Sequence, residues 1–275
     1  MKHQKLSALL LALALCLSLS VPAHAAEETG LHTTASHAAA GAMTYGGASQ
    51  ISWAVWQDGK TVESGTLKAP EETGGAPQEA QAGAVYGIGS VSKIYTTVAA
   101  MQLAEAGKLS LDKPVTAYLP DFKMADERYK QITVRMLLNH SSGLMGSSMG
   151  SGLLFDDPSE TAADQLLERL AVQRLKAAPG AYSVYCNDGF TLAQLVVEAV
   201  SGQDFMDYVR SSILTPAGLK ATYAPGDECK DRADIYNGTD PTPLPMDCLG
   251  VLGTGGLYAA AEDLAAFGGA LTGTK

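Results

Sequence analysis

Ser90 and Lys93 stand three residues apart in YGIGSVSKIYTT, residues Tyr86–Thr97, where an apolar helical pattern begins. Residues three apart on a helix share a face, so the lysine rises beside the serine hydroxyl. A serine is a weak nucleophile until a base takes its proton. A lysine can do so where burial and nearby dipoles lower its pKa. The positive end of the helix favours alkoxide at Ser90, disfavours ammonium at Lys93, and offers the Ser90 N–H to a developing oxyanion. The spacing alone is common, since Ser-x-x-Lys arises by chance about once in a chain of this length. Ser110 and Lys113 match it as well, just before Pro114 and without an apolar helix behind them. The competing reading of Ser90 is an N-cap serine followed by a surface lysine.

A second segment supplies context. In PGAYSVYCNDGFTLAQLVVEAVSG, residues 179–202, Tyr185 and Asn187 flank Cys186 in a turn that leads into an apolar helix. A phenol can accept or relay a proton, and a carboxamide can hydrogen-bond a substrate amide and hold a lysine. Taken by itself, the pair also reads as a buried tyrosine beside a turn asparagine. Cys186 reads as a packed small residue, the alternative being a thiol close to the cleft.

The elements that must carry these groups follow from local patterning. SQISWAVWQ and KTVESGTLK, joined by Asp58-Gly59, read as a β-hairpin with a tight turn. APEETGGAPQEAQAG reads as a polar loop. The helix from Ser90 has apolar residues at Ile94, Val98, Met101 and Leu103 among alanines and closes at Gly107. ITVRMLLNHSSGLMG is a helix stopped by a Ser/Gly turn, ETAADQLLERLAVQRL is amphipathic, and TLAQLVVEAVSG is an apolar helix ended by Gly202. DFMDYVRSSILTPAGL is a further helix. GTGGLYAAAEDLAAFGGAL is a Gly-rich turn, a strand or turn, and then a helix from near Ala261. One hairpin followed by many helices is an α+β pattern.

Together these segments resemble the serine β-lactamase and penicillin-binding-protein superfamily, in its class C β-lactamase-related branch. The resemblance runs in order from about Tyr86 to Phe267, through the Ser90 helix, ITVRMLLNHSSGL, the Tyr185-x-Asn187 segment and GTGGLYAAAEDLAAF. It implies an antiparallel sheet flanked by a helical region. It also implies a serine hydrolase of the β-lactamase, D-alanyl-D-alanine carboxypeptidase or esterase kind. Ser90 would be acylated, Lys93 would be its proton partner, and Tyr185 would be base and then acid. Asn187 would orient substrate and Lys93, and His140 would hold its turn. No metal or organic cofactor is called for. The substrate would be a small molecule or short peptide, with a cell-wall peptide as one candidate. The alternative is a non-catalytic penicillin-binding or sensor domain on the same fold. The third motif of that family, Lys/His-x-Gly on a late strand, is not found, so the resemblance implies a chain lacking its C-terminal strands.

Composition narrows the class. Of 275 residues, 46% are hydrophobic and 17% charged, which is the balance of a folded domain. A net charge of −10 without a basic cluster argues against nucleic acid as a partner. Residues 1–25 combine a basic start, a 16-residue apolar run and Ala-His-Ala, the pattern of a cleaved signal peptide. The run is short for a membrane span. Export to the periplasm or outside the cell is therefore expected, with no stable span once the leader is removed. Residues 26–45 read as a flexible lead-in and 46–275 as the hydrolase domain, incomplete at its C-terminus. Three cysteines follow the leader, and Cys229 and Cys248 read equally as a disulfide or as free thiols.

Overall fold

The computed structural model describes residues 34–70, 78–80, 83–148, 153–155, 162–237, 240, 242–245 and 247–273. The leader expected over 1–25 lies outside them. They fall into two compact units, one of residues up to Ala84 together with Ala260 onward, the other of Val85–Ala259. The stretch expected as one hydrolase domain, 46–275, contributes to both units.

The first unit is built on the hairpin. Strands β1 (Gln50–Gln57) and β2 (Lys60–Lys68) pair antiparallel. Asp58 and Gly59 both take positive φ, 51° and 78°, as a two-residue hairpin turn requires. A third strand, β3 (Gln78–Ala80), pairs with the end of β2 inside the stretch read as a loop. Of the lead-in expected over 26–45, residues 26–33 lie outside the described residues, and Thr34–Gly46 forms helix α1. Ala39 and Met43 of α1 are buried with Leu67, against Ile51 and Trp53. That burial offsets the entropy of ordering the segment, but its stripe is mostly alanine and so leaves little trace in hydropathy. The last helix of the chain, Ala261–Thr272, also packs on β1 and β2.

The second unit carries the chemistry. Strand β4 (Val85–Gly87) runs into a 3-10 turn, Gly89–Val91, and then into helix α2 (Ser92–Glu105). The helix proper therefore starts two residues after Ser90. Helix α3 (Val134–Leu138) begins at Thr133, whose hydroxyl accepts from Met136 N, and gives way to a turn in which His140 takes φ 62°. Strand β5 (Leu153–Phe155) and helix α4 (Ala162–Ala171) follow. Helix α5 (Asn187–Ser201) stops at Gly202 with φ 70°, as expected of that glycine. Helix α6 (Phe205–Val209) passes through a π-helical turn, Arg210–Leu214, into the short α7 (Thr215–Ala217). Strands β6 (Thr222–Tyr223) and β8 (Tyr258–Ala260) pair antiparallel in a sheet of order β4-β8-β6, and β5 pairs antiparallel with β7 (Asp247–Leu249).

Helix α2 packs against α5 and against a π-helical turn at Leu252–Gly256, the Gly-rich turn expected there. Its buried face is Ser92, Lys93, Tyr95, Thr96, Ala99, Ala100 and Leu103. Of the apolar positions that marked the helix in sequence, Ile94 and Met101 are exposed. Small residues face the neighbours because they let backbones approach closely enough for side-chain-to-backbone hydrogen bonds.

Candidate active site

Ser90 lies exposed at the turn before α2, and its Oγ receives two hydrogen bonds. Lys93 Nζ donates to it at 3.1 Å, and the Tyr185 hydroxyl donates at 2.6 Å. Lys93 is only 7% exposed and donates again, at 2.7 Å, to the Thr254 carbonyl. Its amine also sits 4.9 Å from the Tyr185 ring centroid and 5.6 Å from that of Phe190. The N-cap position of α2 is Val91, so Ser90 does not stand where the capping alternative put it. The second Ser-x-x-Lys differs in every respect. Ser110 N donates to the Tyr118 hydroxyl, and Lys113 is exposed in the loop.

Tyr185 feels opposing influences. Burial pushes its phenol up, but hydrogen bonding with Lys93 and Ser90 and the Lys93 charge outweigh this, leaving the pKa below the ordinary tyrosine value. The positively charged neighbour makes the phenolate, the form able to take a proton, easier to reach.

The Tyr185 segment hangs from the turn after α3. Val184 N donates to the His140 carbonyl at 3.0 Å, Ser183 Oγ to the Asn139 carbonyl at 2.9 Å, and Cys186 N to His140 Nδ1 at 3.1 Å. The His140 ring lies 4.5 Å from the Tyr185 ring, centroid to centroid. Burial and the Lys93 charge push the His140 pKa down, which suits a neutral ring accepting at Nδ1. Replacing His140 with phenylalanine would keep the ring packing but orphan the Cys186 N–H. The expected cost is about 1–3 kcal/mol in chemical denaturation, with reduced acylation of Ser90.

Asn187 is the first residue of α5. Its Nδ2 donates to Ser147 Oγ at 3.1 Å, its Oδ1 is buried with no hydrogen-bond partner among the described residues, and Lys93 donates to the carbonyl of Thr254. Thr254 was not singled out in sequence as a site residue. Its signal was present in the Gly-rich GTGG turn, but a backbone carbonyl carries no residue-type signature.

That turn is clamped on three sides. Thr96 Oγ1 donates to the Gly253 carbonyl at 2.6 Å, Gly253 N donates to Gln194 Oε1 at 2.9 Å, and Leu257 N donates to Ser92 Oγ at 3.2 Å. Thr254 Oγ1 also bonds Thr191 Oγ1 at 2.8 Å and the Asn187 carbonyl at 3.1 Å. A Cβ on Gly253 would stand 2.8 Å from both Gln194 Cβ and Thr96 Oγ1. Gly253→Ala is therefore expected to lower stability by about 1–3 kcal/mol, read from the denaturation midpoint, as overpacking displaces the carbonyl that seats Lys93.

Cys186 is buried, with Sγ 3.4 Å from the Gly146 carbonyl, and burial raises its thiol pKa. It is a packed small residue, and no disulfide joins Cys229 to Cys248. Among the described residues, no group of three or more His, Cys, Asp or Glu side chains is placed to hold a metal ion.

Known proteins share this arrangement of segments. The Beta-lactamase family profile matches residues 35–275, which includes α1. Penicillin-binding protein 4 of Amycolatopsis lactamdurans is 31% identical over 59% of this chain and 43% of its own. The D-alanyl-D-alanine-carboxypeptidase/endopeptidase AmpH of Escherichia coli K12 is 27% identical over 67% of this chain and 48% of its own. The chain thus spans less than half the length of these two relatives. The octameric penicillin-binding protein homologue from Pyrococcus abyssi superposes with a TM-score of 0.65 at 27% identity, covering 82% of this chain and 52% of that one. With the fold and the matched segments in agreement, the chain belongs to the Beta-lactamase family, on the β-lactamase/transpeptidase-like fold.

Proposed function

We propose that this chain carries the acylation machinery of an exported serine acyl-hydrolase acting on a small amide, ester or D-amino-acid peptide. The observation that carries the reading is the convergence of Lys93 Nζ and the Tyr185 hydroxyl on Ser90 Oγ. Membership in the Beta-lactamase family and the carboxypeptidase relative support it.

In this reading Tyr185, ionised beside Lys93, accepts the Ser90 proton as Ser90 Oγ bonds the substrate carbonyl carbon. The Ser90 N–H donates to the oxyanion. Collapse of the intermediate breaks the bond to the leaving group, which takes the proton from Tyr185. Water then attacks the ester, its proton passing to Tyr185 and on to Ser90 Oγ, and the acid is released. Lys93, anchored on the Thr254 carbonyl, stays beside the phenol. Export rests on residues 1–25, and among the described residues no helix is long and apolar enough to cross a membrane.

The test is mass mapping of the intact protein after reaction with a fluorescent penicillin. A penicilloyl adduct on the peptide containing Ser90 is expected, and absence of any adduct there ends the proposal. Slow release of the adduct would point to a penicillin-binding protein and fast turnover to a β-lactamase. The rate of adduct formation should also rise with pH along a limb governed by Tyr185. That limb should lie below the ordinary tyrosine range because the phenol is held down by Lys93 and Ser90. A rate with no rising limb below the ordinary tyrosine pKa would exclude Tyr185 as the base.

A further inference from the structure

The residue following Asn187 is a carboxylate that the proposed reaction does not use. Asp188 is 1% exposed. Both its oxygens accept from Ser148 N, at 2.8 and 3.0 Å, and Oδ2 also accepts from Ser148 Oγ at 2.6 Å. Its own N–H donates to the Gly146 carbonyl at 3.0 Å. Helix α4 and the residues after it grip the same loop from the other side. Arg169 Nη1 donates to the Ser148 carbonyl at 3.0 Å, and Gln173 Nε2 donates to Ser148 Oγ at 2.7 Å. Between these anchors stands Ser147, exposed, its hydroxyl receiving the Asn187 amide at 3.1 Å.

Burying a carboxylate is costly unless it is fully hydrogen-bonded. Burial indeed raises the pKa of Asp188, against the pull of Ser148 and Arg169. An apolar residue at the first turn of α5 would avoid that cost, so what the carboxylate holds in place is the informative feature. What it holds is the 146–148 loop, and what the loop presents at the site is Ser147.

We propose that Asp188 is a positioning residue that, by clasping Ser148, keeps the Ser147 hydroxyl against the Asn187 carboxamide and so sets how the site receives an amide-bearing acyl group. The inference rests on the acyl-hydrolase reading above. Among the described residues Asn187 Nδ2 donates to this hydroxyl, so a loop that drifts frees the carboxamide to rotate. A misplacement of about 1 Å can cost up to about a hundredfold in rate. Lys93 is anchored on the Thr254 carbonyl and the Tyr185 segment on His140, neither through a side chain of the clasp, so loss of the clasp falls first on substrate placement.

Two probes separate these effects: a fluorescent penicillin, whose acyl part carries an amide, and a fluorophosphonate, which carries none. In Asp188→Ala, Ser148→Ala and Ser147→Ala, the rate constant for penicillin acylation should fall roughly tenfold further than that for the fluorophosphonate. Asp188→Asn, which keeps one acceptor, should lose less. Asp188→Ala combined with Ser147→Ala should be no worse than the larger single effect. Should Asp188→Ala not fold, Ser148→Ala, which removes only the hydroxyl of a half-buried residue, carries the same test. Equal losses for both probes, no loss, or additive losses would overturn the proposal. Wild-type protein that neither probe labels at Ser90 would instead remove the acyl-hydrolase reading and this inference with it.

Discussion

Ser90→Ala is expected to abolish covalent labelling by both penicillin and fluorophosphonate, and to lower hydrolysis of any substrate by a factor on the order of 10⁶. The argument is geometric. Two donors, Lys93 Nζ and the Tyr185 hydroxyl, meet at Ser90 Oγ. Remove that oxygen and neither has an attacking atom to activate. The fold should survive, because Ser90 is exposed and Lys93 keeps its bond to the Thr254 carbonyl. A melting temperature near that of the wild type, together with lost labelling, is therefore the expected pair of results. Labelling of Ser90→Ala at the wild-type rate would place the nucleophile elsewhere. Ser110 is a poor candidate for it, because the Lys113 side chain is exposed and the Tyr118 hydroxyl occupies the Ser110 backbone.

Lys93→Met should be the next most damaging change, with hydrolysis reduced by about 10³ to 10⁴, the upper range for loss of a positioned proton-transfer group. Methionine replaces most of the stem but none of the amine. Three things change at once. Ser90 Oγ loses a donor. The buried Thr254 carbonyl loses its lysine partner, at a cost of about 1–3 kcal/mol in stability. Tyr185 loses the hydrogen bond and charge that hold its pKa down, so burial raises the phenol and the alkaline limb of the rate profile moves to higher pH. The direction follows from the charge. Without a neighbouring cation less phenolate is present at neutral pH, so activity there falls and recovers only as pH rises. Steady-state rates against pH, with a parallel denaturation curve, measure all three. A Lys93→Met protein within tenfold of wild type and with an unmoved profile would make the amine a spectator.

Several features of this protein were legible from local residues because the physics behind them is local. The Asp58-Gly59 turn, the stop at Gly202 and the Gly-rich turn at Leu252–Gly256 follow from which residues tolerate positive φ or close approach. The Ser90–Lys93 contact follows from spacing along a helical path. The order of segments along the chain was enough to indicate the family. Helix α1 was missed because alanine and threonine bury little area each, and its stability comes from the strands beneath it rather than from its own pattern. Ile94 and Met101 misled for the complementary reason, since the buried face of α2 sets Tyr95 and Leu103 among small and polar residues rather than these two.

What only the tertiary structure decided is who holds whom at the site. The Lys93 partner is a backbone carbonyl 161 residues away, and no residue type announces a carbonyl. Asn187 is held by a serine from a loop forty residues earlier, and that loop by the buried Asp188. Such partners are chosen by close packing of distant segments, where a few tenths of an ångström decide whether a hydrogen bond forms. The amino-acid sequence alone marked Ser90, Lys93 and Tyr185 as candidates and outlined most of the helices. The distances that could make them a reactive set came from the fold, because long-range hydrogen bonds depend on the shape of the whole core and not on the residues that make them.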